Sequence, residues 1–372
     1  MPANKPLTIV MPTRNRPRYC LAQLRFLRAC GVAHPILIAD SSDERTAERI
    51  RADCSGMADY SFDNSAADVT QKLARVLQSV KTPFTIMVPD DDVTFPHAID
   101  ASLAHLHVNP DYVAAHGYTL RFGIHDTDFD IHNVFSFTPT IDAERPLRRH
   151  YELMRRYQPF FWAVFRTDAL VLALAGAEIT YGAVFKELAF MSRAALKGKV
   201  ARLPVVFAMR GMEESLTSAV EIDPMLWFLQ DSRSFYRRYS EYRDALAGFV
   251  RGDASLLADV PPATPLEHIL DLNHGALLGR AVDVGRINYQ AQLLLGEPLP
   301  PMPRAPQWPG GRPPESGDIV HVSRRGERRY IWRHKVIEAQ PRDEIAIEEG
   351  EMATAEKELD AYRLEREPEL QS

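Results

Sequence analysis

Short apolar runs alternate with helical patterns over residues 7–90, and this alternation constrains the fold more than any other feature. Leu7–Met11, Pro35–Ala39 and Thr85–Val88 have the length and composition of strands that are buried on both faces. A weaker strand is expected around Tyr60. Repeated strand–helix units predict an α/β fold whose central sheet is mostly parallel and flanked by helices.

The helices between these strands have recognisable limits. Pro17 suits the first helical position, and Gly31 is expected to end that helix. Ser41 and Glu44 have the spacing of a capping box at the start of the second helix. A third helix is predicted from the apolar positions of the segment 69–80.

Polar residues follow three of the predicted strands. They are the turn Thr13–Arg16, the segment Asp40–Ser42 and the triplet Asp90–Asp92. In open α/β sheets, ligands bind beyond the carboxyl ends of the strands. The three clusters are therefore expected to face one crevice, although they lie far apart in the sequence.

Composition excludes several classes of protein. The chain has 372 residues and a net charge of -6, which does not suit a nucleic-acid-binding protein. Arginines interrupt the first 30 residues, so no secretory signal is expected, and no apolar run is long enough to span a membrane. Three widely spaced cysteines favour a reducing, cytoplasmic setting over a disulfide framework.

The aspartate triplet has the chemistry of a metal site. Adjacent carboxylates repel one another unless a cation binds, and Mg²⁺ and Mn²⁺ prefer oxygen ligands. On an extended segment Asp90 and Asp92 would project to the same side, with Asp91 facing elsewhere. The alternative is a solvated acidic turn before the helix that Pro96 begins.

The first turn and two further residues suit an anionic ligand. The turn reads Pro12-Thr13-Arg14-Asn15-Arg16 and offers two guanidinium groups at a helix N-terminus. The alternative is a plain surface turn. Asp40 could accept hydrogen bonds from a base or ribose, or it could cap the next helix. Lys72 could reach a phosphate, although a single lysine on a helix is usually solvated.

The motifs TIVMPTRNRPRYCLAQLRFL, IADSSD and VPDDDV resemble those of the GT-A glycosyltransferases, in particular family-two-like inverting enzymes of bacterial polysaccharide synthesis. The resemblance covers Leu7–Val93 well and continues more loosely to Gly211. It implies a GT-A, Rossmann-like donor half. It also implies a nucleotide pocket and a divalent Mn²⁺ or Mg²⁺ ion held by Asp90 and Asp92. The resemblance places Thr13–Arg16, Asp40 and the aspartate motif at this pocket. With Pro12 and Lys72 from the argument on the residues themselves, the candidate nucleotide-binding residues are Pro12, Thr13, Arg14, Asn15, Arg16, Asp40, Lys72, Asp90 and Asp91.

The same resemblance implies a general base that opens a helix beyond the metal motif. Glu187 is the best match, and Arg210 is the candidate to close over the diphosphate. The usual Glu-Asp pair is here Lys186-Glu187, which departs from the family pattern. The alternative for Glu187 is a salt bridge with Lys186 or Arg193 on a surface helix.

The rest of the chain is expected to add peripheral elements. The sequence predicts paired strands at Tyr118–Phe122 and Phe129–Phe135, a strand at Phe160–Phe165, a helix at Val184–Leu196 and a strand at Leu203–Met209. The domain expectation is a GT-A domain at 1–220, with a nucleotide half at 1–95 and an acceptor half at 96–220. It is followed by a helical extension at 221–297, a Pro-rich linker at 298–317, a basic hairpin at 318–340 and an acidic tail at 341–372, solvated as a helix or disordered.

The expected function is metal-dependent, inverting transfer of a sugar from a nucleotide-sugar donor to a glycan or lipid-linked acceptor, in surface glycan synthesis. The expected place is the cytoplasm, with peripheral association at the inner membrane face allowed by analogy. One alternative is a nucleotidyltransferase, which the absence of glycine from the turn Thr13–Arg16 disfavours. The other is a non-catalytic nucleotide- or glycan-binding module on the same fold.

Overall fold

A computed structural model describes most of the first 295 residues and a short segment near the C-terminus. The described residues are 6–66, 68–124, 129–136, 139–176, 182–211, 227–228, 231–279, 281–295, 350–355 and 357. The predicted Pro-rich linker and basic hairpin, and most of the predicted acidic tail, lie outside these ranges.

The first part of the sheet is parallel, as the sequence predicts. Its strands have the order β3-β2-β1-β4, and all three pairings are parallel. The strands are β1 (Leu7–Thr13), β2 (Ile36–Asp40), β3 (Asp59–Phe62) and β4 (Phe84–Met87). The helices that connect them are α1 (Pro17–Ala29), α2 (Glu44–Asp53) and α3 (Val69–Val76), the last continued by a 3₁₀ turn at Leu77–Ser79.

The remainder of the sheet is mixed. From β4 the order continues β8-β6-β9-β5, with β7 paired to β6; β6 and β9 are parallel, and the other pairings are antiparallel. These strands are β5 (Asp92–Thr94), β6 (Tyr112–Ile124), β7 (Phe129–Ser136), β8 (Val164–Arg166) and β9 (Lys199–Gly211). The α/β class is confirmed, and the four strands that precede the aspartate triplet pair with one another only in parallel, whereas the strands after it pair in both directions.

Helices cover this second part and extend beyond it. They are α4 (Pro96–Val108), α5 (Pro146–Arg155), α6 (Thr167–Ala173), α7 (Ala183–Lys197), α8 (Ser232–Arg251), α9 (Ala254–Leu257), α10 (Leu266–Leu278) and α11 (Ala281–Leu295). In the part of the chain that the structure describes, none of the helices is both long and apolar enough to cross a bilayer.

The core lies on both faces of the sheet because successive side chains of a strand point to opposite sides. In β1, Ile9 and Met11 belong to one cluster and Val10 to the other. The cluster that contains Val10 continues through α7 into the helical extension, where Phe185 of α7 packs against Phe235 and Tyr239 of α8. The extension therefore shares a core with the helix that carries Glu187.

Two local predictions are wrong. The run Phe160–Phe165 is not one strand: Phe160–Trp162 lie outside any strand, and only Val164–Arg166 pair with β4 and β6. Phe160 and Phe161 are buried against other aromatic rings, so their burial does not require a strand. The second helix has no cap from Ser41, since Asp43 is its N-cap and accepts from the Thr46 amide.

The described part of the acidic tail is not a solvated helix. Residues 350–355 are helical, and Met352 and Ala355 are buried in the cluster beneath α1 and α4. Glu351 accepts a hydrogen bond from the His97 amide at 2.9 Å and lies 2.6 Å from His97 Nδ1. A carboxylate is stabilised at a helix N-terminus, where amide groups have no partner within the helix. This segment is therefore packed on the start of α4.

Candidate functional site

The turn after β1 is fixed to the end of β2. Thr13 lies in register with Asp40 in the parallel pairing of the two strands, one residue beyond the buried Pro12. The Thr13 carbonyl oxygen accepts hydrogen bonds from the Ser41 amide at 3.2 Å and from Lys72 Nζ at 2.7 Å. The first two predicted polar clusters therefore meet at one edge of the sheet, as the sequence predicts.

Asn15 joins the two loops through its backbone and its side chain. Its φ of 56° is in the left-handed region, which asparagine tolerates better than most residues. Its amide donates to Ser42 Oγ at 2.7 Å, and its Oδ1 accepts from the Asp43 amide at 3.0 Å. Asn15 thus ties the turn after β1 to the loop after β2, while its neighbour Arg14 is exposed.

Asp40 is fully buried and its carboxylate is bonded on both oxygens. Oδ1 accepts from the Ser42 amide at 2.8 Å and from Ser42 Oγ at 2.5 Å, and Oδ2 accepts from the Tyr60 hydroxyl at 2.5 Å. Burial and the bond to Asp40 raise the pKa of Tyr60 well above its usual range. Asp40 does not cap α2, so that alternative is wrong; it holds Ser42 and Tyr60 in place.

Asp90 is a buried carboxylate that contacts the turn after β1. Its Oδ2 accepts from Thr13 Oγ1 at 2.7 Å, and its Oδ1 lies 3.4 Å from an Arg16 nitrogen. Burial raises the pKa of Asp90 to about 6; the negative charge of Asp91 adds to this rise, and the Thr13 bond, Arg16 and Lys72 oppose it. The charged form of Asp90 is thus costly here, and added positive charge would stabilise it.

Asp91 shares the guanidinium of Arg16 with Asp90. The Arg16–Asp91 distance is 2.6 Å, and both side chains are about one third exposed, at 35% and 31%. The main chain bends at Asp90 and Asp91, and the next strand starts only at Asp92. The argument from an extended segment does not hold at Asp90 and Asp91: Asp91 does not face away from Asp90 but contacts the same guanidinium.

Lys72 is buried, contrary to the usual behaviour of a helical lysine. Besides the Thr13 carbonyl, its Nζ donates to Ser41 Oγ at 3.0 Å, and the residue is only 5% exposed. Burial lowers the pKa of Lys72 to about 8, while Asp90 and Asp40 oppose this change. The site thus holds a buried cation among its buried carboxylates.

Asp92 and Arg210 face each other across two antiparallel strands. Asp92 begins β5, and it is paired in register with Arg210 near the end of β9. Asp92 is buried, whereas Arg210 is exposed. The pairing brings the last residue of the triplet next to the candidate that the sequence placed 118 positions later.

Glu187 lies on a buried helix. Its Oε1 accepts a hydrogen bond from the Tyr157 hydroxyl at 2.7 Å. Burial raises the pKa of Glu187, and the Tyr157 bond and the positive charge of Arg210 oppose that rise. Because most residues of α7 from Val184 to Leu196 are buried, the interpretation as a surface helix is wrong.

The neighbours Lys186 and Glu187 contact different parts of the structure: Glu187 bonds to Tyr157, and Lys186 contacts α3. Lys186 forms an ion pair with Asp68, which is the N-cap of α3 and accepts from the Gln71 amide at 3.0 Å. Helix α3 also carries Lys72. Lys186 therefore ties the helix of Glu187 to α3.

The predicted residues form two groups. The first surrounds the ends of β1, β2 and β4 and contains Thr13, Arg16, Asp40, Lys72, Asp90 and Asp91. The second contains Glu187 and Arg210, which interact electrostatically, and Asp92, which is paired with Arg210. Within the described ranges, no three His, Cys, Asp or Glu side chains are arranged as a metal cluster.

Several residues of these groups were not found from the sequence. Tyr60, Tyr157 and Asp68 each bond to a predicted residue or to its neighbour through a side-chain atom. The partners are separated by 20, 30 and 118 positions, respectively. No spacing rule covers such contacts, and only Tyr60 lay in a segment with a predicted element.

Comparisons with known proteins concern the fold. No protein-family model matches the sequence, and no curated protein matches it. Similar solved structures include TarS residues 1–349 from S. aureus in complex with UDP-GlcNAc, with 15% identity, a TM-score of 0.48, and coverage of 78% of this chain and 76% of that one. The mannosyltransferase PcManGT from Pyrobaculum calidifontis, in complex with GDP-Man and Mn²⁺, has 13% identity, a TM-score of 0.42 and the same two coverages. Mannosyl-3-phosphoglycerate synthase from Rubrobacter xylanophilus has 14% identity, a TM-score of 0.39 and coverage of 70% and 78%.

Proposed function

We propose that this protein is a metal-dependent inverting glycosyltransferase that moves a sugar from a nucleoside-diphosphate sugar to an acceptor hydroxyl. The observation that carries the proposal is that two carboxylates lie in separate groups of residues, each with its own positively charged neighbours. Asp90 is buried at the ends of the parallel strands beside Arg16 and Lys72, and Glu187 is a separate carboxylate beside Arg210. Sugar transfer needs charge stabilisation on the leaving group and a base on the acceptor, and these are different places.

The first group is suited to the donor. Ligands of open α/β sheets bind beyond the carboxyl ends of the strands, where Thr13, Asp40 and Asp90 lie. Arg16 and Lys72 supply positive charge for a diphosphate. Because both oxygens of Asp40 are already bonded, we propose that Asp40 acts on a nucleoside through Ser42 and Tyr60 or exchanges one of these bonds for it.

The chemistry of the triplet fits a divalent cation. Burial disfavours the charged form of Asp90, and the residue already uses a guanidinium as its counter-charge. Mg²⁺ characteristically takes one or two carboxylates and completes its shell with water and substrate phosphates, so no third protein ligand is required. We assign Asp90 and Asp92 to this ion; when bound, the ion would stabilise the charge that develops on the diphosphate.

The second group is suited to the acceptor. Glu187 removes the proton of the acceptor hydroxyl, whose oxygen forms a bond to the anomeric carbon while the bond to the diphosphate oxygen breaks. Attack from the face opposite the leaving group inverts the configuration at that carbon. The raised pKa of Glu187 lies closer to neutral pH, and a general base is most effective when its pKa is near the pH at which the enzyme works. Arg210, whose positive charge acts on Glu187, would also add positive charge near the diphosphate.

The remaining parts of the proposal concern partners and place. We propose a glycan or lipid-linked acceptor, synthesis of surface glycan, and action in the cytoplasm with peripheral association at the inner membrane face. The net charge of -6 is consistent with a partner other than nucleic acid.

Thermal shifts with UDP, GDP, CDP and TDP, each with and without Mn²⁺, test the donor site. A ligand that binds only the native state raises Tm, so one nucleotide is expected to raise it in a metal-dependent way. Asp92→Asn should abolish this rise, while Asp100→Asn, the same change at a side chain that is 71% exposed, should preserve it. No rise with any nucleotide would contradict the proposal.

Product analysis separates the alternatives. A glycosyltransferase releases nucleoside diphosphate from its donor, a nucleotidyltransferase releases pyrophosphate from a nucleoside triphosphate, and a binding module releases neither. Glu187→Gln should preserve the nucleotide-dependent thermal shift and lose transfer, because it removes the base and leaves the donor group intact. Release of pyrophosphate would favour the nucleotidyltransferase instead.

A further inference from the structure

The Tyr157 hydroxyl and the Glu187 carboxylate form a contact that the proposed reaction does not itself require. Tyr157 lies two residues beyond the end of α5, and Glu187 is in the first half of α7. The two atoms, Tyr157 Oη and Glu187 Oε1, are 2.7 Å apart, and both residues are partly buried. A phenol and a carboxylate at this distance form a charge-assisted hydrogen bond.

Tyr157 acts as the proton donor in this bond. Burial and the negative charge of Glu187 raise the pKa of Tyr157 well above its usual range, so the hydroxyl keeps its proton near neutrality. A donor to a carboxylate stabilises the ionised form and lowers the pKa of that carboxylate. The bond therefore opposes the rise in the pKa of Glu187 that burial causes.

Other groups around Glu187 act in defined ways. Arg210, on β9, favours the ionised carboxylate. Lys186, its neighbour on α7, is paired with Asp68. Tyr242, on α8, acts electrostatically on Tyr157, and its own hydroxyl lies 2.7 Å from His274 Nε2.

We infer that Tyr157 is a positioning residue: by holding Oε1 of Glu187 it orients the carboxylate, leaves Oε2 to take the acceptor proton, and sets the pH at which Glu187 ionises. The inference rests on the proposed function for the role of Glu187 as base. The effect on ionisation follows from the contact alone. The two parts can therefore be tested separately.

Carboxyl titration of the full chain tests the ionisation. Glutamate labelled with ¹³C at the side-chain carboxyl gives a resonance for Glu187 that Glu187→Gln identifies by its loss. In Tyr157→Phe the midpoint of this resonance should rise by about one pH unit, since the stabilising donor is gone. Tyr151→Phe makes the same change on α5, six positions earlier, and should leave the midpoint where it is. An unchanged or lowered midpoint in Tyr157→Phe, or an equal rise in Tyr151→Phe, would overturn the inference.

The dependence of transfer on pH tests the positioning role. In Tyr157→Phe the acid limb of kcat should move upward by the same amount as the carboxyl midpoint, with the KM for donor unchanged. A merely structural role would lower Tm and leave the acid limb in place, and that result would overturn the inference. If nucleotides bind nowhere, the proposed function fails, and the positioning role fails with it. The titration would still report whether Tyr157 sets the ionisation of Glu187.

Discussion

Lys186 and Asp68 form an ion pair that joins the helix of Glu187 to the helix of Lys72. Asp68 also caps α3, accepting from the Gln71 amide at 3.0 Å and from Thr70 Oγ1 at 2.5 Å. Lys186 is 10% exposed and Asp68 is 36% exposed, so the pair is partly shielded from water. A contact between side chains thus connects α7, which carries Glu187, to α3, which carries Lys72.

This contact predicts a measurable coupling energy. Lys186→Met and Asp68→Asn, alone and combined, form a double-mutant cycle in which Asn keeps the capping ability of Asp68. We expect the free energy of unfolding in urea to show a coupling of about 1 to 2 kcal/mol, because the pair is partly buried. The exposed pair Arg49–Asp53 should couple by less than about 0.5 kcal/mol. Equal coupling in both cycles would show that the buried contact adds nothing.

Arg16 is predicted to compete with a divalent cation. Its guanidinium contacts Asp90 and Asp91, so Arg16→Gln leaves two neighbouring carboxylates without that charge. The variant should be less stable without metal, by about 1 kcal/mol, and Mn²⁺ should raise its Tm more than it raises that of the unaltered protein. Arg45→Gln, the same change at an exposed position on α2, should respond to Mn²⁺ as the unaltered protein does. A smaller response to Mn²⁺ in Arg16→Gln would mean that the carboxylates do not hold the ion.

Lys72 is predicted to make the stability rise with pH in the alkaline range. Burial lowers its folded-state pKa to about 8 from a usual value of 10.5, so between these values the unfolded chain binds more protons. The free energy of unfolding should therefore increase as pH rises from 8 to 10. Lys72→Met should flatten this increase and weaken the nucleotide-dependent thermal shift. Arg75 lies on the same helix and is half exposed, and Arg75→Met should do neither. An unchanged slope in Lys72→Met would show that the ammonium is hydrated.

Buried histidines are predicted to destabilise the protein in acid. Burial lowers the pKa of His116 to about 4 and that of His150 to about 3, and it lowers the pKa of His274 as well. As pH falls below 6.5, the histidines are protonated in the unfolded chain but not in the folded one. Stability is therefore lost progressively until the pH reaches the folded-state pKa values of these histidines. Urea unfolding between pH 7 and pH 5 should show this loss.

A variant that lacks one of these histidines isolates its share. His150→Asn should reduce the slope of stability against pH, although it also lowers the stability itself, because His150 contacts Ser192 and Asn273 in the core. His107→Asn, at an exposed position on α4, should keep the full slope. An unaltered slope in His150→Asn would mean that another group causes the acid destabilisation.

The parallel part of the fold could be predicted because three of its four strands, β1, β2 and β4, are buried on both faces. Leu7–Met11 and Pro35–Ala39 are continuous apolar runs, and such runs have few alternatives in an α/β chain. The three-residue strand β5 has no such signal: it exists because Asp92–Thr94 pair with β9, which lies more than a hundred positions away. The bend at Asp90 and Asp91 was not predicted either. There Asp90 bonds to Thr13 and Asp91 to Arg16, and both partners are more than seventy positions earlier in the chain.

The carboxylates of the candidate site could be predicted from the sequence, but the residues that contact them could not. Asp90 and Glu187 were selected by motif, and the structure describes a carboxylate with a raised pKa at each position. The hydroxyl that bonds Glu187 comes from Tyr157, in a loop without a motif, and the burial of Lys72 depends on how α3 packs on β1 and β2. Such details belong to the tertiary structure, because they depend on which elements are neighbours.

The hydrogen bond between the His97 amide and Glu351 closes a loop of 254 positions. Closing so long a loop costs only slightly more entropy than closing one half its length. The covalent connection to the rest of the chain therefore keeps the segment 350–355 at a high local concentration near α4. If that connection were cut, the segment would become an ordinary peptide ligand whose occupancy of this site depends on dilution, and the contacts at the start of α4, a few residues beyond Asp92, would then depend on the concentration of that peptide.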